Sequence, residues 1–153
     1  MTQTINSIEQ FEATLPEAIQ PLGSYVTAVQ VGNLVYTSGA LPIQEATVTC
    51  TGAVGDSGTS VEAAQNAARL CGINLLSVLK AHLGSLNKVQ QVVKLTGYVN
   101  SDPTFSQQAA VVNGASNLMT EVFGEKGKHA RTSIGVAALP MNASVEVDLI
   151  VQI

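Results

Sequence analysis

Apolar and polar positions alternate most plainly at the end of the chain, where Val145, Val147, Leu149 and Val151 interleave with Glu146, Asp148, Ile150 and Gln152. A period of two marks a strand with one buried face, so Ser144–Ile153 is predicted as a strand. The same alternation predicts a strand over Thr132–Ala138, and Val89–Asn100, with Val92, Val93, Leu95 and Tyr98, also reads as a strand. Nearer the start, Tyr25–Gln30 and Leu34–Leu41 are rich in β-branched and aromatic residues, and Val31-Gly32-Asn33 separates them as a hairpin connection.

Two stretches switch to the helical period. Thr59 with Glu62 reads as a capping box, after which Ala64, Ala67, Ala68, Cys71, Leu75, Val78, Leu79 and Leu83 form one stripe that Gly84 ends. In the other, Asp102-Pro103 is predicted to open a helix whose face is Phe105, Ala109, Val112, Ser116, Met119 and Phe123, closed by Gly124. Residues 1–20 are a polar lead-in with a short helix near Ile8–Ala13, capped by Ser7 with Gln10. Gln44–Ser60, with Gly52, Gly55 and Gly58, is predicted as a loop without phosphate-binding spacing. The order β-β-α-β-α-β-β predicts an α+β two-layer sandwich in a single domain over 1–153, two helices covering one face of a mixed sheet.

Composition alters this picture in one respect. Charged residues make up 12% of the 153 and hydrophobic residues 46%, too few charges to cover an isolated domain of this size, so the uncovered sheet face is expected to be apolar and buried against other subunits. The net charge of −4, with no basic cluster, argues against nucleic acid as a partner. No apolar run is long enough for a membrane span, and Met1-Thr2-Gln3-Thr4-Ile5-Asn6 lacks the basic start and apolar core of a signal peptide, so a cytoplasmic protein is expected. Cys50 and Cys71 have no metal-type spacing and read as reduced thiols.

Candidate chemistry centres on Arg131, one of seven cationic residues, placed in an apolar alternating strand. A guanidinium there needs an anion: either a carboxylate of the protein, Glu146 or Asp148 on a neighbouring strand, or a ligand carboxylate. Glu146 lies between Val145 and Val147, where desolvation would lift its pKa toward a proton-shuttling range, although a solvated edge-strand glutamate is the commoner arrangement. Asn113 is a polar residue in a helical apolar run beside Gly114, and the glycine indicates close packing or a ligand-facing spot, a solvent-facing asparagine being the commoner arrangement. Tyr25 opens the first strand, Gly39 precedes Leu41-Pro42 where the backbone turns or approaches a ligand, and Ser133 lies two residues beyond the arginine. His82 suits a helix C-terminus, His129 precedes Arg131 and is not assigned a catalytic role, Ser133 has no His or Asp at the spacing of a Ser-His-Asp hydrolase, and two histidines 47 positions apart do not suggest a metal site.

Gly23-Ser24-Tyr25-Val26, Gly32 through Gly39 followed by Leu41-Pro42, Asn113, and Ala130-Arg131-Thr132-Ser133 through Leu139-Pro140 to Val145-Glu146-Val147 together resemble the Rid family. These are the reactive intermediate deaminases, also called YjgF-like and formerly named L-PSP endoribonucleases. The resemblance runs from about Gly23 to the C-terminus. It implies a chorismate-mutase-like fold, a homotrimer with clefts between subunits, and hydrolysis of 2-imino or 2-enamino acids to 2-keto acids and ammonia without metal or cofactor. By position it implies Arg131 as the carboxylate clamp and Glu146 as the site glutamate. Tyr25, Gly39 and Asn113 would line the cleft, and backbone groups near Ser133 would hold the imine nitrogen or water. Ser133 stands where the best-known deaminases often carry cysteine. Alternatives to catalysis are a trimer that binds a small carboxylate without turnover and a ribonuclease or translation inhibitor, the latter opposed by the cation-poor chain.

Overall fold

The computed structural model describes residues 5–153. The elements are α1 (Ile8–Glu12), β1 (Ala28–Val31), β2 (Leu34–Thr37), β3 (Ile43–Gln44), β4 (Thr47–Val48), α2 (Val61–Leu83), β5 (Gln91–Asn100), α3 (Gln108–Phe123), β6 (Ala130–Val136) and β7 (Val145–Gln152). Five strands form one sheet in the order β1-β2-β7-β5-β6, while β3 and β4 form a separate hairpin. Only β5 and β6 run parallel, joined through α3 as a crossover; the other pairs are antiparallel. This is the mixed-sheet, two-helix α+β layering that the periodicities predict.

The core lies between the sheet and the two long helices. Val145, Val147, Leu149 and Val151 of β7 meet Leu75, Leu76 and Leu79 of α2 and Val112, Leu118 and Met119 of α3, all essentially without solvent exposure. Burying each such aliphatic side chain contributes about 1.5–3 kcal/mol. Two glycines permit the close packing. At Gly97 of β5 a Cβ would overlap Val112, and at Gly114 of α3 it would overlap the Gln65 carbonyl of α2. Gly114 therefore serves helix–helix contact, the packing alternative of the two that its position beside Asn113 left open.

Several boundaries differ from expectation. The cap of α2 is Ser60, whose Oγ accepts from Ala63 N–H at 3.1 Å, rather than Thr59, whose hydroxyl donates instead to the Thr51 carbonyl at 2.9 Å. Asp102-Pro103 does not open α3. Asp102 N–H donates to the Val54 carbonyl and its own carbonyl accepts from Phe105 N–H, both at 3.0 Å, which makes a turn, and the helix begins at Gln108 without a side-chain cap. Ala109 is consequently exposed, and Val111, Ala115, Leu118 and Val122 join Val112, Met119 and Phe123 on the buried face. The predicted loop after Gln44 contains the β3–β4 hairpin, turned through Glu45 and Ala46 at φ +50° and +62°. The short N-terminal helix forms as predicted, with Ser7 Oγ accepting from Gln10 N–H at 3.1 Å; the first four residues of the lead-in lie outside the described residues.

The sheet face turned away from α2 and α3 is uncovered. Val29, Val31, Tyr36 and Ile134 are exposed on it by 41–65%, so its margins are apolar as expected. Its centre is not. Lys94, Thr96, Tyr98, Glu146 and Asp148 occupy the middle strands, with Lys94 Nζ donating to Thr132 Oγ1 at 2.8 Å and Tyr98 Oη to Asp148 Oδ2 at 2.9 Å. No helix among the described residues is long and apolar enough to cross a membrane.

Candidate functional site

Strand register decides where the candidate residues point. Arg131 pairs with Leu95, and Leu95 with Leu149, two core residues, so the Arg131 side chain leaves β6 on the helix-covered face. There Nη1 donates to Asn113 Oδ1 at 2.7 Å and to Ser116 Oγ at 3.1 Å, both on α3. Glu146 pairs with Tyr98 and belongs to the opposite face. An ion pair between Arg131 and Glu146 or Asp148 within one chain is thereby excluded, because the sheet stands between them. Among the described residues the ion pairs are Arg69–Glu121 and Lys128–Glu125, both elsewhere, and Arg131 has no carboxylate partner.

Around Glu146 a different set gathers. Its carboxyl lies against Gly39, where a Cβ would overlap Oε1, so the absence of a side chain makes room for the acid. Ala40 is bridged to Val147, by N–H to carbonyl at 2.8 Å in one direction and 3.1 Å in the other, which fixes Gly39 beside β7. Gly39, Glu146 and Tyr25 line one cavity of about 230 Å³ together with Leu41, Asn74 and Val78. Tyr25 is about half exposed, and its Oη accepts from Leu22 N–H at 3.1 Å. Burial, and secondarily the negative charge of Asp148, raises the Glu146 pKa from its ordinary value. Burial raises Asp148 as well, against the lowering effect of the Tyr98 and Thr96 hydrogen bonds and of Lys94.

The structure thus brings Tyr25, Gly39 and Glu146 together in one half-site and Arg131 with Asn113 in another. Ser133 shares the Arg131 face, two residues along, and its buried Oγ has no hydrogen-bond partner. Among the described residues no three His, Cys, Asp or Glu side chains converge as metal ligands. Cys50 and Cys71 are both free thiols; burial pushes Cys71 well above its ordinary pKa.

Residues 8–153 match the family described as YjgF/chorismate mutase-like, putative endoribonuclease. The chain belongs to this family. It is similar to protein TCP17 of Trypanosoma cruzi, 43% identical over 96% of this chain and 92% of that one. A 2-iminobutanoate/2-iminopropanoate deaminase of Dermatophagoides farinae is 36% identical, over 90% and 92%. A crystal structure of a protein of unknown function from Agrobacterium tumefaciens superposes with a TM-score of 0.88 and 46% identity, covering 97% of this chain and 92% of the other. The chorismate-mutase-like fold expected of a YjgF-like chain is the one observed.

Sequence reasoning missed two members of the Arg131 half-site in this YjgF-like protein. Ser116 appeared only as a residue of the helical stripe, and His129 only as the residue two before Arg131. In the fold, His129 Nδ1 lies 2.6 Å from the Gly127 carbonyl and Nε2 lies 2.9 Å from Ser116 Oγ. A carbonyl only accepts, so Nδ1 carries the hydrogen, and in the neutral ring Nε2 then accepts from the Ser116 hydroxyl. Ser116 Oγ is in turn left to accept from Arg131, so one chain of hydrogen bonds runs from the Gly127 backbone to the guanidinium. The i, i+3 spacing of Asn113 and Ser116 on one helix face was the available signal.

Proposed function

We propose that the protein hydrolyses reactive 2-imino and 2-enamino acids to 2-keto acids and ammonia, in a cleft assembled from two copies of the chain within a homotrimer. The observation that carries this reading is a guanidinium fixed by two neutral acceptors with no carboxylate of its own. Nη2 and Nε are left for a ligand carboxylate, which a guanidinium grips through two parallel charge-assisted bonds. The second support is Glu146, a carboxyl with raised pKa and no hydrogen-bond partner among the described residues, poised to hold or move a proton at a reacting atom. The relative from Dermatophagoides farinae, a 2-iminobutanoate/2-iminopropanoate deaminase by name, agrees with this chemistry.

In the proposed reaction the substrate carboxylate binds Arg131 of one subunit, and C2 lies near Glu146 of another. Water adds to C2 of the C=N bond while a proton passes to nitrogen, giving a carbinolamine. A second proton transfer to nitrogen, with loss of the hydroxyl proton, breaks the C–N bond and releases ammonia and the 2-keto acid. Water supplies the oxygen, and neither oxidant nor reductant is needed. Because the imine is reactive already, positioning and one proton-transfer group suffice.

One observation favours a second reading. Arg131 and Glu146 lie on opposite sheet faces, so a chain that remained monomeric would bind a small carboxylate at Arg131 without turnover. A freshly generated 2-imino acid separates the two. Ammonia release above the buffer rate, lost in Arg131→Ala, is the expected result; saturable 2-keto acid binding without any acceleration supports the binding-only protein.

A further inference from the structure

Arg131 is held by groups that are themselves held. Its Nη1 donates one hydrogen to Asn113 Oδ1 at 2.7 Å and the other to Ser116 Oγ at 3.1 Å. A serine hydroxyl has a single hydrogen, which rotates toward an acceptor within reach. At Ser116 that acceptor is Nε2 of the half-buried His129, 2.9 Å away. The imidazole is oriented from its far side, where Nδ1 donates to the Gly127 carbonyl at 2.6 Å. Gly127 is buried, and a Cβ there would overlap the Met119 carbonyl of α3. The outer acceptor is thus packed on the same helix that carries Asn113 and Ser116, so both ends of the relay rest on α3.

We propose that His129 is a positioning residue of the arginine clamp. By taking the Ser116 hydroxyl hydrogen it turns the Ser116 lone pairs to Nη1, fixes the guanidinium plane and leaves the Nε and Nη2 edge free for a ligand carboxylate. His129 touches no substrate and acts through Ser116 alone. The inference rests on the carboxylate-clamp part of the reading above and not on turnover. Without the imidazole, the hydroxyl turns its hydrogen back to a carbonyl of its own helix, a bond that serine makes readily within helices. Arg131 then keeps Asn113 as its one fixed acceptor, and a single bond leaves the plane of the guanidinium free to swing. Orienting the clamp becomes a cost that the ligand must meet on binding.

Tautomer and affinity test the relay together. Long-range proton–nitrogen NMR correlation on histidine-labelled protein is expected to show His129 as the Nδ1–H form; the Nε2–H form overturns the proposal, because Nε2 would then donate to Ser116. Calorimetric titration with pyruvate reads the clamp. His129→Ala and Ser116→Ala are each expected to weaken binding about fivefold, and the double variant by the same factor of about five, not by the roughly 25-fold of independent contributions. His129→Gln, whose amide oxygen reaches the place of Nε2, is expected to bind within about twofold of wild type, whereas His129→Asn, which reaches only the place of Nδ1, binds like the alanine variant. If His129→Ala does not fold, the glutamine and asparagine pair decides. Equal affinities in that pair, or independent losses in the double variant, overturn the proposal, as does a wild-type protein that binds no pyruvate. Binding lost in Arg131→Ala but unmoved in every His129 variant keeps the clamp and removes His129 from it. The expected series without hydrolysis of a 2-imino acid keeps His129 and removes the deaminase reading.

Discussion

Removing Arg131 separates a ligand clamp from a structural cation, because the two roles predict opposite balances of affinity and stability. In the fold the guanidinium donates to Asn113 Oδ1 at 2.7 Å and Ser116 Oγ at 3.1 Å, both neutral acceptors, and the residue is only half-buried. Losing such bonds where water can replace them is expected to cost about 1 kcal/mol of folding free energy. For a chain of this length that lowers Tm by about 2–4 °C. A broken buried ion pair would instead cost about 3–5 kcal/mol. Binding is expected to suffer more. Two parallel charge-assisted bonds to a carboxylate, at about 1.5 kcal/mol each, sum to about 3 kcal/mol and correspond to roughly 150-fold in Kd. Titration calorimetry with pyruvate and scanning calorimetry on the same Arg131→Ala preparation read both quantities. Affinity within about threefold of wild type, accompanied by a Tm loss above about 10 °C, would refute the clamp and restore a structural role.

Glu146→Gln is expected to abolish hydrolysis while stabilising the fold near neutral pH. The folded-state pKa of Glu146 lies above its unfolded value, so between the two the folded state holds the proton more tightly and stability falls as pH rises through that window. Above the window the full penalty remains, and glutamine removes it; the Tm advantage over wild type should therefore be present at pH 7 and vanish below the ordinary carboxylate range, and an advantage independent of pH would contradict the desolvation account. Ser116→Ala should raise KM about fivefold with little change in kcat, since it loosens the guanidinium without touching the reacting atoms; an unchanged KM would remove Ser116 from the clamp. Gly114→Ala forces a methyl into the Gln65 carbonyl and should cost about 1–3 kcal/mol by thermal unfolding, whereas an unaltered Tm would show that α2 and α3 can part without loss.

Period and the closing glycines, Gly84 and Gly124, made the long elements legible. The alternation in Val145–Gln152 and the stripe from Ala64 to Leu83 each bury a continuous face, so local pattern and tertiary packing agree. Where they disagree, tertiary bonds decide. Asp102 carries the capping residue type, but its backbone is engaged by Val54, and a Cβ at Gly55 would overlap its carboxyl, so it makes a turn instead. The β3–β4 hairpin escaped because Glu45-Ala46 lacks the Asn-Gly or Asp-Gly signature of its positive-φ turn. The site was legible residue by residue but not in its arrangement. Sequence could suggest Arg131, Asn113, Glu146, Tyr25 and Gly39. Only the register through Leu95 and Tyr98 places the arginine and the glutamate on opposite faces, and only the fold brings His129 and Ser116 to the guanidinium.

That separation makes the assembly of one site from two chains the central claim, and subunit mixing tests it most directly. Arg131→Ala and Glu146→Gln proteins, each inactive alone, are co-refolded in equal amounts and assayed for ammonia release from a freshly generated 2-imino acid. Random exchange places an intact arginine opposite an intact glutamate in about one quarter of the clefts of a cyclic oligomer, so activity should return to about one quarter of wild type. Continued inactivity of the mixture, with hetero-oligomers verified by mass, would contradict a site shared between subunits.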